Sequence, residues 1–301
     1  MLPTPLAQLF PISSFELGFT TFAHSESPTS ITDHNLNIIS VPLRDSSLGV
    51  HKNTPFLTHD VVCPPPSIHP SSDDPRLAWE AKYPKGSCSP STKTPGGMGF
   101  YLGGSEKIVD LLKHGHPTEA IFGYRVMFEK GWDWVKGGKL PGIYGGIGDA
   151  AYGCSGGRQK NRCKCFDVRL MWRRDGLGEL YAYLPINETN TNALLAVPHS
   201  TTNHQYGISV GCGAWAFEPG VWTTVAERIK LNDIGKHNGE LQLWINGVSV
   251  IHAKGLIFRE DEKSHIKGMH FQTFFGGHEP DWASPKDQHA WFADVSGAII
   301  R

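Results

Sequence analysis

Phe166-Asp167-Val168-Arg169-Leu170-Met171-Trp172-Arg173-Arg174-Asp175-Gly176-Leu177-Gly178-Glu179-Leu180-Tyr181-Ala182-Tyr183-Leu184-Pro185 is the stretch that decides the fold. Phe166, Val168, Leu170 and Trp172 alternate with Asp167, Arg169, Met171 and Arg173, the period-two pattern of a strand with two unlike faces. Asp175-Gly176-Leu177-Gly178 supplies turn residues. The chain then returns with Leu180, Ala182 and Leu184 on one face and Tyr181 and Tyr183 on the other. A turn centred on Gly176 sets Met171 opposite Tyr181 and Arg169 opposite Tyr183, about 5 Å apart at Cβ. Asp167, Arg169, Tyr181 and Tyr183 then share one side of a sheet. That is too much polar chemistry for a core, and it suits the floor of an open cleft.

The rest of the chain has the same character. Its 301 residues include 34 Gly and 21 Pro, and 19% are charged. Short apolar or alternating runs are separated by Gly, Pro, Asn and Asp, as in an all-β sandwich. Strands are expected at 15–22, 36–41, 99–102, 121–129, 206–212, 222–231, 240–245, 248–251 and 290–295, with Asn246-Gly247 as a hairpin turn. One short helix is expected at 108–112, capped by Ser105. Residues 131–146 read as a glycine-rich ligand loop carrying Lys136, Lys139 and Tyr144, and 187–203 as a polar loop. The expected organisation is a single domain over 1–301, with 1–95 as an N-terminal lap of loops and strands and 96–301 as the main sandwich.

A net charge of −1 with no basic block gives no general surface for nucleic acid or membrane. An anionic ligand therefore needs a local cationic cluster. The cysteines are Cys63, Cys88, Cys154, Cys163, Cys165 and Cys212, an even number compatible with three disulfides in a secreted protein. Cys163 and Cys165 are expected on one strand, each paired elsewhere. Asn187-Glu188-Thr189 is a glycosylation sequon. No apolar leader segment stands at the N-terminus, so secretion implies that the signal is absent from this sequence. No metal-ligand spacing stands out, and no cofactor is expected.

The cluster suits β-elimination on a polyuronate. There a base removes the weakly acidic proton beside the sugar carboxylate, and the glycosidic oxygen leaves from the next carbon. A cation must stabilise the enolate-like charge that develops. Arg169 offers a fork matched to a carboxylate, Lys139 can assist it, and Tyr181 or Tyr183, with a pKa lowered by these cations, can serve as base or acid. Asp167 would orient Arg169 or a sugar hydroxyl. Lys136, Tyr144, Gln272 and His278 are further candidate substrate contacts, and His204 and His270 are candidate catalytic histidines. A lectin on the same sandwich is the alternative. A glycoside hydrolase would need two suitably spaced acids, which are not evident on one strand.

Several separated motifs, in order, resemble polysaccharide lyase family 14: Trp134-Val135-Lys136-Gly137-Gly138-Lys139-Leu140-Pro141-Gly142, Arg169-Leu170-Met171-Trp172-Arg173, Tyr181-Ala182-Tyr183 and Thr273-Phe274-Phe275-Gly276-Gly277. The resemblance covers roughly residues 95 to 301. It implies a β-jelly roll, related to concanavalin-like sandwiches, of two antiparallel sheets with few helices. It also implies lyase activity on an acidic polysaccharide, with Lys139, Arg169, Tyr181 and Tyr183 as its functional residues; a monomer is expected. The family's alginate lyases carry a serine two residues before the arginine. Asp167 stands there in this chain; unless paired, an acidic group would repel a polyuronate, and this departure from the alginate lyases leans the reading to a different uronan, glucuronan, with alginate close behind.

Overall fold

A computed structural model describes residues 4–22, 37–90, 92–203, 206–277 and 279–301. Two largely antiparallel sheets face each other. Sheet one runs β14-β13-β12-β6-β16-β1-β2, where β1 is Leu17–Thr20, β2 Ile38–Ser40, β6 Glu119–Phe128, β12 Thr223–Lys230, β13 Gly239–Ile245, β14 Val248–Leu256 and β16 Gln288–Ile299. Its remaining strands, β3 (Asp60–Val62) and β4 (Ala78–Tyr83), attach through β4 to β16. Sheet two runs β10-β11-β9-β8-β7-β15-β5, where β5 is Met98–Leu102, β7 Gly137–Ile147, β8 Cys165–Arg173, β9 Leu177–Tyr183, β10 Thr201–Asn203, β11 Gly207–Ala216 and β15 Ser264–Phe275.

The core follows from the alternation. Phe166, Val168, Leu170 and Trp172 of β8 and Leu180 and Ala182 of β9 are buried against Phe122, Tyr124, Val126 and Phe128 of β6. Rings meet edge to face, as Phe128 does with Trp172 at 5.5 Å between centroids, a geometry that adds to their area burial. Helix α1 (Thr4–Leu9) packs on β6 and β12 at the outer face of sheet one, where its Leu6 and Leu9 join Ile121, Ala226 and Trp244 in a second cluster.

The Asn246-Gly247 turn forms as expected, with φ of 50° and 79°, the paired left-handed values a two-residue hairpin requires. Other expectations are corrected. Residues 137–147 are a central strand, not a ligand loop; here glycine allows the close approach of neighbouring chains, since a Cβ on Gly138 would meet the Trp172 ring. The expected polar loop at 187–203 contains helix α3 (Glu188–Leu195). Its apolar face is slight, and it is held by Asn190, whose side chain donates to the carbonyls of Pro185 and Ile257. Helix α2 (Glu106–Asp110) follows Ser105, but that hydroxyl makes no capping bond.

The central hairpin is shifted two residues from its expected register. Arg169 faces Tyr181, Asp167 faces Tyr183 and Met171 faces Glu179. Asp175 (φ 60°) takes a left-handed conformation just before Gly176 (φ 76°), which centres the turn on Asp175. Because the slip is even, every side chain keeps its face.

Candidate active site

The outer face of β8 presents Cys165, Asp167, Arg169, Met171 and Arg173 in a row, beside Glu179, Tyr181 and Tyr183 of β9. From the other side β7 contributes Lys139, paired with Met171, and Tyr144, paired with Asp167. Next to it β15 brings His270, Gln272 and Phe274. Lys139, Arg169, Tyr181 and Tyr183 therefore do meet on one face. The Lys139 amine lies 3.8 Å from the Tyr181 ring centroid and 5.1 Å from that of Tyr183. It also donates to Met171 Sδ at 3.1 Å.

Arg169 is held without being used up. Its Nη1 donates to Gln272 Oε1 at 2.8 Å, and its buried Nε forms an ion pair with Asp167 Oδ2 at 3.5 Å, too long for a hydrogen bond. Asp167 receives a 2.7 Å hydrogen bond from His270 Nδ1, and His270 stacks on Tyr101 at 4.2 Å. Asp167 is only 1% exposed: of its two expected roles, the place beside Arg169 holds, and contact with a sugar hydroxyl is corrected. Tyr144 is also corrected. It is buried among Tyr101 and Tyr152, with its hydroxyl 3.5 Å from His51 Nε2. Lys136 is drawn to the 280s, paired with Asp281 and lying over the Trp282 ring. His204 and His278 lie outside the described residues.

Burial reverses the expected phenol chemistry. Desolvation pushes the Tyr181 hydroxyl up to about 12, against the opposing pull of Arg173. Tyr183 is also raised by burial, with Arg169 and Arg162 pulling the other way. Both phenols thus keep their protons at neutral pH, where the sequence had suggested an ionised one. Lys139 moves the other way. Burial first, then the guanidiniums of Arg169 and Arg173, hold its amine well below the ordinary lysine range. His270 is likewise lowered by burial, although Asp167 partly offsets this.

Motif reading missed Glu179, Ser209, Arg162 and the disulfide. Glu179 lies in the same alternation as Tyr181 and Tyr183. It is tied to Arg173 at 2.5 Å and to Ser209 at 2.6 Å, so it is not a free acid. Cys154–Cys165 is the disulfide among the described cysteines, and Cys63, Cys88, Cys163 and Cys212 are free thiols. The expected common strand for Cys163 and Cys165 is corrected: Cys163 lies in a 3-10 turn and Cys165 opens β8. The bridge packs against Met171, Tyr181 and Tyr183. It anchors a loop whose Arg162 lies 5.3 Å from the Tyr183 ring. No signal short of the fold gives that pairing. Asn187 of the sequon caps α3, its side chain accepting from Asn190 N at 2.8 Å.

The polysaccharide lyase 14 family model matches residues 71–295. The chain belongs to polysaccharide lyase family 14. The match begins ahead of residue 95, so it takes in β4, whose Trp79, Ala81 and Tyr83 enter the core. Among solved structures, the chain is 31% identical to the alginate lyase of Aplysia kurodai, over 82% of this chain and 91% of that one, with a TM-score of 0.66. It is 20% identical to the Chlorella virus alginate lyase vAL-1, over 84% and 93%, with a TM-score of 0.63. It is 22% identical to the alginate lyase Aly36B, determined with an alginate tetrasaccharide, over 74% and 81%, with a TM-score of 0.56. Comparison with curated proteins found no match. This polysaccharide lyase has the family's two-sheet architecture. Among the described residues no helix is long and apolar enough to cross a membrane.

Proposed function

We propose that this lyase cleaves a β-1,4-linked polyuronate by β-elimination, with Arg169, Lys139 and the two tyrosines as its working groups. The observation that carries the reading is the convergence on one face of the Arg169 guanidinium, a buried Lys139 amine held well below the ordinary lysine range, and two phenols raised by burial. The guanidinium takes the sugar carboxylate and stabilises the charge that builds on it as the neighbouring C–H bond breaks. A neutral Lys139 amine accepts that proton. The electron pair forms the new double bond while the C–O bond to the leaving sugar breaks, and a phenol of Tyr181 or Tyr183 protonates the departing oxygen. The Lys139 ammonium, lying over the Tyr181 ring, then returns a proton to the phenolate, and the cycle closes without a net change in the protein.

Asp167 no longer argues for glucuronan, because its carboxylate is buried and bonded to His270 rather than turned to the substrate. Alginate, named for the relative that is 31% identical, becomes the first polymer to try, with glucuronan beside it. Secretion and monomeric action remain part of the proposal. Incubation with each polymer, followed by the ultraviolet absorbance of the conjugated double bond, tests the reading. Cleavage with a rise in absorbance supports it, and binding without cleavage of any uronan would return it to a lectin.

A further inference from the structure

Lys139 and Tyr144 are five residues apart, and in a regular strand they would point to opposite faces. They share the outer face because β7 carries one extra residue against β8: three steps from Lys139 to Gly142 match two from Met171 to Arg169. Such a bulge re-aims a side chain and breaks the local ladder. Within it Pro141 has no N–H to give, and Leu140 and Ile143 point into the core.

Two polar side chains cross the sandwich from the opposite sheet to this stretch. The Tyr124 hydroxyl of β6 donates to the Pro141 carbonyl at 3.2 Å. The Ile143 N–H donates to Glu227 Oε2 of β12 at 2.9 Å. Tyr124 pairs with Val225 and Glu227 with Phe122, so the two are diagonal neighbours on the inner face. Each is 1% exposed in an otherwise apolar layer. Burial pushes both groups well up from their ordinary values, and the second Glu227 oxygen, Oε1, is buried without a partner among the described residues. A carboxyl in such a place is costly unless its hydrogen bond serves something.

We infer that Glu227 and Tyr124 are positioning residues of the lyase: they brace the β7 bulge through the core and so fix where Lys139 stands over Tyr181. The inference rests on the role proposed above for Lys139. The alternative they close off is a one-residue slip, which would turn Lys139 into the core. Their bonds at Pro141 and Ile143 flank Gly142, where a Cβ would strike the Val168 carbonyl, so the bulge is clamped on both sides of its tightest contact.

The test compares Glu227→Gln, Glu227→Leu and Tyr124→Phe. Glutamine keeps a neutral acceptor for the Ile143 N–H, whereas leucine keeps the bulk and loses the acceptor. Glu227→Leu is expected to lower kcat by about 10- to 100-fold, the effect of a misplacement of about 1 Å or less. KM should stay within about 2-fold, because Arg169 and the cleft are untouched, and Glu227→Gln should restore most of kcat. A readout independent of turnover is the rate at which acetic anhydride modifies Lys139, followed by peptide mass spectrometry; it should change in Glu227→Leu and return in Glu227→Gln. If Glu227→Leu does not fold, Tyr124→Phe replaces it, with a several-fold drop in kcat and an altered Lys139 rate expected. Full activity with an unchanged Lys139 rate in the folded variants would overturn the inference, as would equal losses in Gln and Leu or a loss confined to KM. Wild-type protein inactive on every uronan would instead sink the functional reading, and the Lys139 rates would then decide the inference alone.

Discussion

Arg169→Ala separates catalysis from stability. The guanidinium is 3% exposed, bonded through Nη1 to Gln272 and paired through its buried Nε with Asp167. Removing it deletes the cation that meets charge developing in the transition state. A single preorganised donor of this kind is worth about 100- to 1,000-fold in kcat, or about 2.7–4 kcal/mol. The cost to folding is smaller. Asp167 keeps its 2.7 Å bond to His270, and the lost Arg169–Asp167 contact is 3.5 Å long rather than a hydrogen bond. The orphaned Gln272 oxygen and the vacated space come to about 1–3 kcal/mol, a drop in Tm of several degrees at this chain length. At 25 °C the variant stays folded, so unfolding cannot explain the lost turnover. Initial rates from the ultraviolet absorbance of unsaturated ends, read beside a thermal melt of the same sample, give both numbers. Unchanged kcat, or a loss no larger than the unfolded fraction, would refute the reasoning. Arg169→Lys should recover part of the rate, since the charge returns without the fork.

Lys139→Met should reduce kcat by at least about 100-fold, the lower range for losing a general base. It should also flatten the dependence of stability on pH. The native amine sits well below its ordinary value of 10.5, so the unfolded chain binds more protons and wild-type stability rises with pH until that unfolded value is passed; denaturant melts across pH would show this slope vanish in the variant. The wild-type rate should climb with pH as Lys139 deprotonates, and stay high until the phenols, both raised by burial, ionise, so a fall beginning near neutrality would contradict the assignment. Tyr183→Phe should keep polymer affinity while lowering kcat, read as a KM-against-kcat split; equal losses in both would make the ring a binding surface. Asp167→Asn should lower Tm without raising the rate on alginate, whereas a gain on alginate would show that the carboxylate does face substrate.

The outline of the fold was open to reading because alternation survives wherever a strand has one core face: Phe166 to Trp172 and Leu180 to Leu184 show it plainly. The face shared by Arg169, Tyr181 and Tyr183 followed from the same parity, and it survived a wrong register because the slip was even. What failed has a physical cause in each case. The stretch 137–147 carries its bulge and glycines inside a strand, so local composition suggested a loop. Helix α3 is fixed by the long-range bonds of Asn190 rather than by an apolar stripe. The direction of the Tyr181 and Lys139 shifts depends on desolvation, which exists only once both sheets are assembled. The hydrogen bond that holds Asp167 beneath the site needed His270, 103 positions away in the chain.

The most direct measurement of the central claim is the mass and proton spectrum of fragments released from alginate and from glucuronan by the wild-type protein. Elimination predicts that every new non-reducing end carries a double bond and lacks one water relative to a hydrolytic fragment. Fragments with saturated ends, or intact polymer after prolonged incubation with both, would contradict it.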